Sequence, residues 1–171
     1  DKIIDISNKY NLNAKIIWIT SFKSKNVEKQ IIDLLEKEKI DAIITTTSFS
    51  SVEYKHDEVQ NNIWDKLDIP VYQLLISSSS ISEWNESTVG LNPIDLSIQV
   101  VLPEVDGRIC TIPIAFKNLT YTDNELSISV YKTEPYEIHI EWCLKYIKNL
   151  IYLQQLNNYN KKIAIVIANY P

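Results

Sequence analysis

Three short β-branched runs, separated by stretches of helical period, constrain this chain more than any other feature. Residues 14–20 (Ala-Lys-Ile-Ile-Trp-Ile-Thr), 41–47 and 70–76 each read as a strand bounded by polar residues. Between the first two, residues 26–39 set Val27, Ile31, Leu34 and Leu35 on one face at the 3.6-residue period. Residues 58–67 read as a shorter helix before the third run. Strand, helix, strand, helix, strand at this spacing predicts parallel strands joined by right-handed crossovers. A helix over residues 3–10 stands before the first run, and in this alternation it follows a strand outside the 171 residues.

The second half continues the pattern less regularly. A short helix is expected over 80–87, and Asn92-Pro93 reads as a helix start, with a capping side chain and proline in the first turn. Pro103 is expected to end that helix. Asp106-Gly107 reads as a turn, and residues 108–117 and 125–131 as a hairpin joined through 118–124. The longest helix is expected over 134–157, where Ile140, Cys143, Leu144, Ile147, Leu150 and Ile151 form a continuous stripe. Residues 163–168 read as a last buried strand. The expected fold is one doubly wound α/β domain over 1–171, a mostly parallel sheet with flanking helices in three flavodoxin- or Rossmann-like layers, plus a small β-hairpin. The chain has no methionine and stops at Asn169-Tyr170-Pro171 straight after a strand. It therefore reads as a domain excised from a longer polypeptide, with 162–171 leading into the next part.

Composition narrows the function classes. A net charge of −5 argues against nucleic acid as a partner, which calls for a basic face. No apolar run approaches the roughly 20 residues of a membrane span, and the amphipathic start is not a signal peptide. Cys110 and Cys143 are too few for a disulfide framework and read as reduced core residues of a cytoplasmic protein. Gly90 and Gly107 are the only glycines, and neither lies between a strand and a helix as a phosphate-cradling loop demands. Nucleotide binding by the usual loops is excluded on that ground. His56 and His139 lack a partner at ligand spacing, so no metal site is expected from this chain alone. Trp18, Trp64, Trp84 and Trp142 read as core or interface residues.

Two places remain for chemistry. In open parallel sheets, ligands bind beyond the carboxyl ends of the strands. Here those exits are residues 20–24, 45–51 and 77–80, all rich in hydroxyls. Thr47, Ser48, Phe49, Ser77 and Ser78 are the binding candidates, a polar rim with an aromatic patch suited to a flat ligand bearing oxygen substituents. The plainer reading is that these serines and threonines cap helices and turns. The second place is Glu104, Asp106 and Arg108, set among Val101, Leu102 and Ile109. Paired carboxylates beside an arginine can take protons from a substrate or hold a hydrated cation. The structural alternative is a turn at Asp106-Gly107 with Arg108 neutralising Glu104.

The run Gly90-Leu91-Asn92-Pro93-Ile94-Asp95-Leu96, followed by Leu102-Pro103-Glu104-Val105-Asp106-Gly107-Arg108-Ile109, strongly resembles the signature of the large tetrapyrrole-binding subunits of cobaltochelatase and magnesium chelatase (the CobN and H-subunit family). Residues 41–49, 70–84, 134–162 and 162–171 are similar to further segments of that family, so the resemblance spans essentially the whole chain. It departs at Asn92, where the family often has Ser or His, and in lacking glycines near the strand exits. The resemblance implies a role in binding a tetrapyrrole, a corrinoid precursor, and in inserting a divalent metal, Co2+ or Mg2+, as substrate. The Glu-Val-Asp-Gly-Arg-Ile form leans toward the cobalt branch. It also implies partner subunits, an AAA+ ATPase and an integrin-like protein, that handle ATP and its Mg2+, so the fragment itself binds no cofactor. By the same resemblance Glu104 is the catalytic residue, with Asp106 and Arg108 supporting it. Two readings from other classes stand beside this one: a stand-alone small-molecule binding module using the Ser/Thr rim, and a docking domain for the ATPase subunits.

Overall fold

The computed structural model describes residues 2–19, 25–52, 54–55, 58–59 and 63–167. In chain order the elements are α1 (Lys2–Lys9), α2 (Lys25–Glu38), β1 (Ile43–Thr45), a minimal hairpin of β2 (Tyr54–Lys55) and β3 (Glu58–Val59), α3 (Ile63–Leu67), β4 (Val71–Ser77) and α4 (Ile81–Glu86). A continuous helix over 93–105 follows, made of α5 (Pro93–Leu96), a π-helical stretch (Ser97–Val101) and α6 (Leu102–Val105). Then come β5 (Ile109–Asp123), β6 (Ile128–Pro135), α7 (Glu137–Gln155) and a 3-10 turn (Asn158–Asn160).

The four-stranded sheet runs β1-β4-β5-β6. β1, β4 and β5 are parallel, and β6 returns antiparallel to β5. Helices cover both faces because the strands alternate. Ile43 and Val71 face Ile31 and Leu35 of α2 and Ile63 and Trp64 of α3. Ile44 and Leu74 face the other way, onto Ile3 and Ile6 of α1 and Ile140, Cys143 and Leu144 of α7. The mixed α/β class is as expected, with one antiparallel pair in a mostly parallel sheet.

Several element readings need correction. Residues 14–19 form no strand: they find no ladder partner among the described residues, and Trp18 is 91% exposed. Residues 161–167 are likewise outside regular structure, with Ile163, Ile165, Val166 and Ile167 between 81% and 93% exposed. β composition alone does not make a strand where no neighbour pairs with it. The helix expected over 58–67 shrinks to α3, after β3. The hairpin is longer than expected. The segment read as its connection carries strand, with Leu119 opposite Tyr131 and Tyr121 opposite Val130. The real turn follows Asp123, whose Oδ1 accepts from the N–H groups of Glu125 and Leu126 (both 3.0 Å). α7 starts two residues after Pro135, which still belongs to β6.

Candidate functional site

The helix over 93–105 organises the site, and it is built outside-in. Asn92 caps it, its Oδ1 accepting from the N–H groups of Ile94 and Asp95 (both 3.0 Å), and Pro93 occupies the first turn. The residues it buries are Asp95, Gln99 and Pro103, four apart, whereas Ile94, Leu96, Val101, Leu102 and Val105 face solvent. A buried polar stripe survives only if every member is bonded. Ser78 donates to Asp95 Oδ2 through its N–H (2.7 Å) and its hydroxyl (2.8 Å), and Asn92 Nδ2 donates to the same oxygen (2.8 Å). Gln99 acts as a strand neighbour to Ile76, accepting from its N–H (2.7 Å) and donating to its C=O (2.6 Å). It does so where the β4–β5 register slips by a residue between Leu75 and Ile76.

Pro103 does not end this helix; the chain stays helical through Val105. A proline lacks the N–H for the carbonyl four residues back and crowds it, and here that carbonyl belongs to Gln99. The preceding π-helical stretch opens the ladder, so that Leu102 N–H reaches back to Ser97 O. The Cys110 thiol lies against the freed carbonyls of Gln99 (3.9 Å) and Val100 (3.7 Å). Burial, with Glu104 nearby, pushes that thiol up to about 11 against the opposing pull of Arg108, so it stays a neutral donor. Both cysteines are free, as expected.

Below α6 the chain ties a knot around Arg108, which is 3% exposed. Nη1 donates to Thr47 O (2.9 Å) and Gln73 Oε1 (2.9 Å), and Nη2 to Phe49 O (3.0 Å) and Asp106 Oδ2 (2.7 Å). The guanidinium lies 5.6 Å from the centre of the Trp64 ring. Asp106 also accepts from the Ser50 hydroxyl and from Ser51 through its N–H (2.7 Å) and hydroxyl (2.8 Å). Burial pushes the Asp106 carboxyl up, but these donors and Arg108 outweigh it and hold the group below its ordinary range. Arg108 therefore neutralises Asp106 and not Glu104, which corrects the structural alternative read from the sequence.

The candidates fall into three places. Asp106, Arg108, Thr47 and the Phe49 carbonyl meet in the knot, with Phe49's ring exposed and its backbone at φ 65°. Ser77 is buried and Ser78 is bonded to Asp95, at the carboxyl end of β4. Ser48, between Thr47 and Phe49 in sequence, is half-buried. Nine residues separate Asp95 from Glu104, about 13 Å along a helix axis, so Glu104 belongs to neither group. Its side chain is exposed, with Val101 one turn behind and Val105 beside it, and among the described residues no donor or cation engages its carboxylate. Residues 20–24 and His56, also considered above, lie outside the described residues. His139 sits half-buried among Trp84, Phe116 and Tyr136, with Nδ1 2.7 Å from Pro113 O. A carbonyl only accepts, so Nδ1 carries the proton. Among the described residues no group of three or more His, Cys, Asp or Glu side chains is arranged to hold a metal ion. Trp64 is buried and Trp84 half-buried, while Trp18 and Trp142 are exposed.

Sequence reasoning missed Asp95, Gln99 and Gln73. The signal was present in the helix itself, since its apolar residues cannot be gathered on one face while Asp95, Gln99 and Pro103 recur at four-residue intervals.

Residues 1–171 match the family model described as CobN/Magnesium Chelatase. The aerobic cobaltochelatase subunit CobN of Pseudomonas aeruginosa is 31% identical over 94% of the chain, and that of a Sinorhizobium species 27% identical over all of it. The chloroplastic magnesium-chelatase subunit ChlH of rice is 26% identical over 84%. The solved catalytic subunit of cobaltochelatase from Mycobacterium tuberculosis superposes on 91% of the chain with a TM-score of 0.74 at 21% identity, a likeness of fold. The chain spans 13% of the length of both CobN relatives.

Proposed function

The chain belongs to the CobN/magnesium chelatase family, and from that premise we propose that it is one domain of a chelatase large subunit, contributing to tetrapyrrole binding and to insertion of a divalent metal. The observation that carries this reading is the contrast within one motif. Asp106 and Arg108 are consumed in a buried knot, while Glu104, two residues away, has no ion-pair or side-chain hydrogen-bond partner among the described residues and stands on an exposed apolar helix surface. Insertion exchanges ring N–H protons for one M2+ ion, two from a porphyrin-type ring and one from a corrin, so at least one proton must leave the ring. A carboxylate fixed by a helix and engaged by no donor among the described residues can take such a proton or pass the incoming cation. Val101, Leu102 and Val105 around it offer the apolar face of a macrocycle a dry contact. The knot sets where α6 ends, so Asp106 and Arg108 position Glu104 and do not meet the substrate. The exposed ring of Phe49 and Ser48 beside it are proposed as further contacts, whereas the hydroxyls of Thr47 and Ser78 are already bonded to Arg108 and Asp95. ATP hydrolysis belongs to separate AAA+ and integrin-like subunits, and the metal, cobalt ahead of magnesium, is the substrate.

The test is Glu104→Gln in the complete chelatase supplied with ATP, metal and metal-free tetrapyrrole. Insertion should fall by roughly 100-fold or more, with tetrapyrrole affinity changed only a few-fold. Insertion at the parent rate would remove Glu104 from the mechanism. The β5–β6 ribbon favours a second role in docking partner subunits, because Leu119, Tyr121, Ile128 and Tyr131 are all exposed on it.

A further inference from the structure

β1 is paired on one side only: Ile43, Ile44 and Thr45 stand opposite Val71, Tyr72 and Gln73 of β4, and the other edge meets no strand among the described residues. Nearby, residues 14–19 have strand composition and no ladder. Beyond the Ala14 N–H, which donates to Leu12 O (3.1 Å), no backbone hydrogen bond joins 15–19 to any described residue. Yet this segment is anchored as a strand is. Leu12 packs into the core under α1 and α7, and Ile19 into the core under α2 and α3, so the segment crosses the plane of the sheet. Ile16, Ile17 and Trp18 are left exposed between these ends.

Handedness fixes what is missing. α2 links 14–19 to β1, α3 links β1 to β4, and both lie on the same face. Right-handed crossovers through one face step in one direction, so the order is 14–19, then β1, then β4. α1 lies on the opposite face, against α7, and a right-handed crossover through that face steps the other way. The strand that feeds α1 must therefore lie on the β1 side of 14–19, which puts it between 14–19 and β1, along the edge of β1 that meets no strand among the described residues.

We propose that this position is filled by an apolar, parallel β-strand from the polypeptide immediately upstream of α1, completing a doubly wound sheet. The chain spans only 13% of the length of its CobN relatives, which leaves room for such a strand in a longer polypeptide. The competing occupant is the chain's own Ile163-Ala164-Ile165-Val166-Ile167. α7 ends close by, with Gln155 Nε2 3.5 Å from Asp41 Oδ1, just before β1. That segment is present and within reach, and it stays outside the slot, exposed.

A functional consequence follows, and it rests on the reading of Glu104's surface as a ligand site. With the strand in place, the chain leaves it toward α1 on one face and leaves β1 toward α3 on the other. That divergence is the switch point at which open α/β sheets bind ligands. Thr47, Ser48 and Phe49, at the exit of β1, form one wall of that crevice.

The experiment is amide hydrogen exchange on the full-length subunit, on a form starting at Asp1, and on a form ending at Lys161. In the full-length chain the amides of 15–19 and 43–45 should exchange roughly 100-fold slower than in the form starting at Asp1, with β4 and α7 protected in both as a folding control. The form ending at Lys161 should keep the protection. Unprotected 15–19 amides in the full-length chain would overturn the proposal, as would protection that disappears on removing 162 onward. Neither outcome depends on Glu104 or on any tetrapyrrole, so this inference and the proposed function fail separately.

Discussion

Arg108 satisfies six acceptor atoms on five residues of β1's exit loop, β4 and the α6 turn, yet its Nε has no partner among the described residues. A planar fork is what the knot requires, and a lysine carries the charge without the geometry. The opposing carboxylate sets a pH dependence. Asp106's folded pKa lies below its unfolded value, so its stabilisation is present above the ordinary carboxyl range near 3.9 and is lost as pH falls through the folded pKa. Asp106→Asn should destabilise the fold at pH 7 by about 3 kcal/mol, the cost of leaving Arg108 buried and unpaired. The loss relative to the parent should narrow below about pH 4. Urea unfolding of both forms at pH 7 and pH 3.5 measures it, and a parallel pH dependence in the two would assign the acid sensitivity elsewhere. The identity of these residues was legible, because an acid, a glycine and an arginine at a strand's lip mark a built turn. Their pairing was not, since whether Arg108 meets Glu104 or Asp106 depends on which carboxylate the helix turns inward.

The helix over 93–105 shows where element-level reading stops. Its start was written in Asn92-Pro93, and its length was misjudged because proline was weighed without the π-helical stretch that accommodates it. Gln99 is the test of this element. Its amide replaces ladder bonds for Ile76 and touches Asp95, so Gln99→Leu leaves the Ile76 N–H and C=O without partners while matching the local apolarity. The substitution should cost roughly 2–4 kcal/mol, whereas Ile94→Lys on the outer face of the same helix should stay within about 0.5 kcal/mol. Thermal unfolding of the two variants side by side checks it. Equal effects would mean that the helix is not held through its polar stripe. The long hairpin was half legible for a related reason. Residues 118–124 carry turn-forming side chains, but cross-strand pairing decides their conformation, and the partners of Asn118, Leu119, Tyr121 and Thr122 lie beyond the segment, at Lys132, Tyr131, Val130 and Ser129.

At the scale of the molecule, the fold class was legible because alternating strand and helix periods leave few arrangements, and the two-faced core follows from strand alternation at Ile43–Ile44. What could not be read was which apolar runs would pair, since pairing needs a neighbour that the run itself does not contain; 14–19 and 161–167 are the two cases. This bears on ligand binding by the domain alone. Among the described residues, the crevice at β1's exit has one wall and the Glu104 surface is a helix face with no opposing side, and the chain carries a net charge of −5. A carboxylate-bearing metal-free porphyrin would gain apolar contact on one side only and meet like charge. Ligand sites that bind well bury most of the ligand surface, and a single open face does not. Titration of residues 1–171 with such a porphyrin, followed by absorbance and by tryptophan fluorescence, should therefore give no saturation up to about 100 μM, a limit of about −5.5 kcal/mol in binding free energy. The full-length subunit should saturate at much lower concentration. Saturable micromolar binding by residues 1–171, weakened by Glu104→Gln or Phe49→Ala, would show that this domain forms a sufficient site and that the crevice needs no second wall.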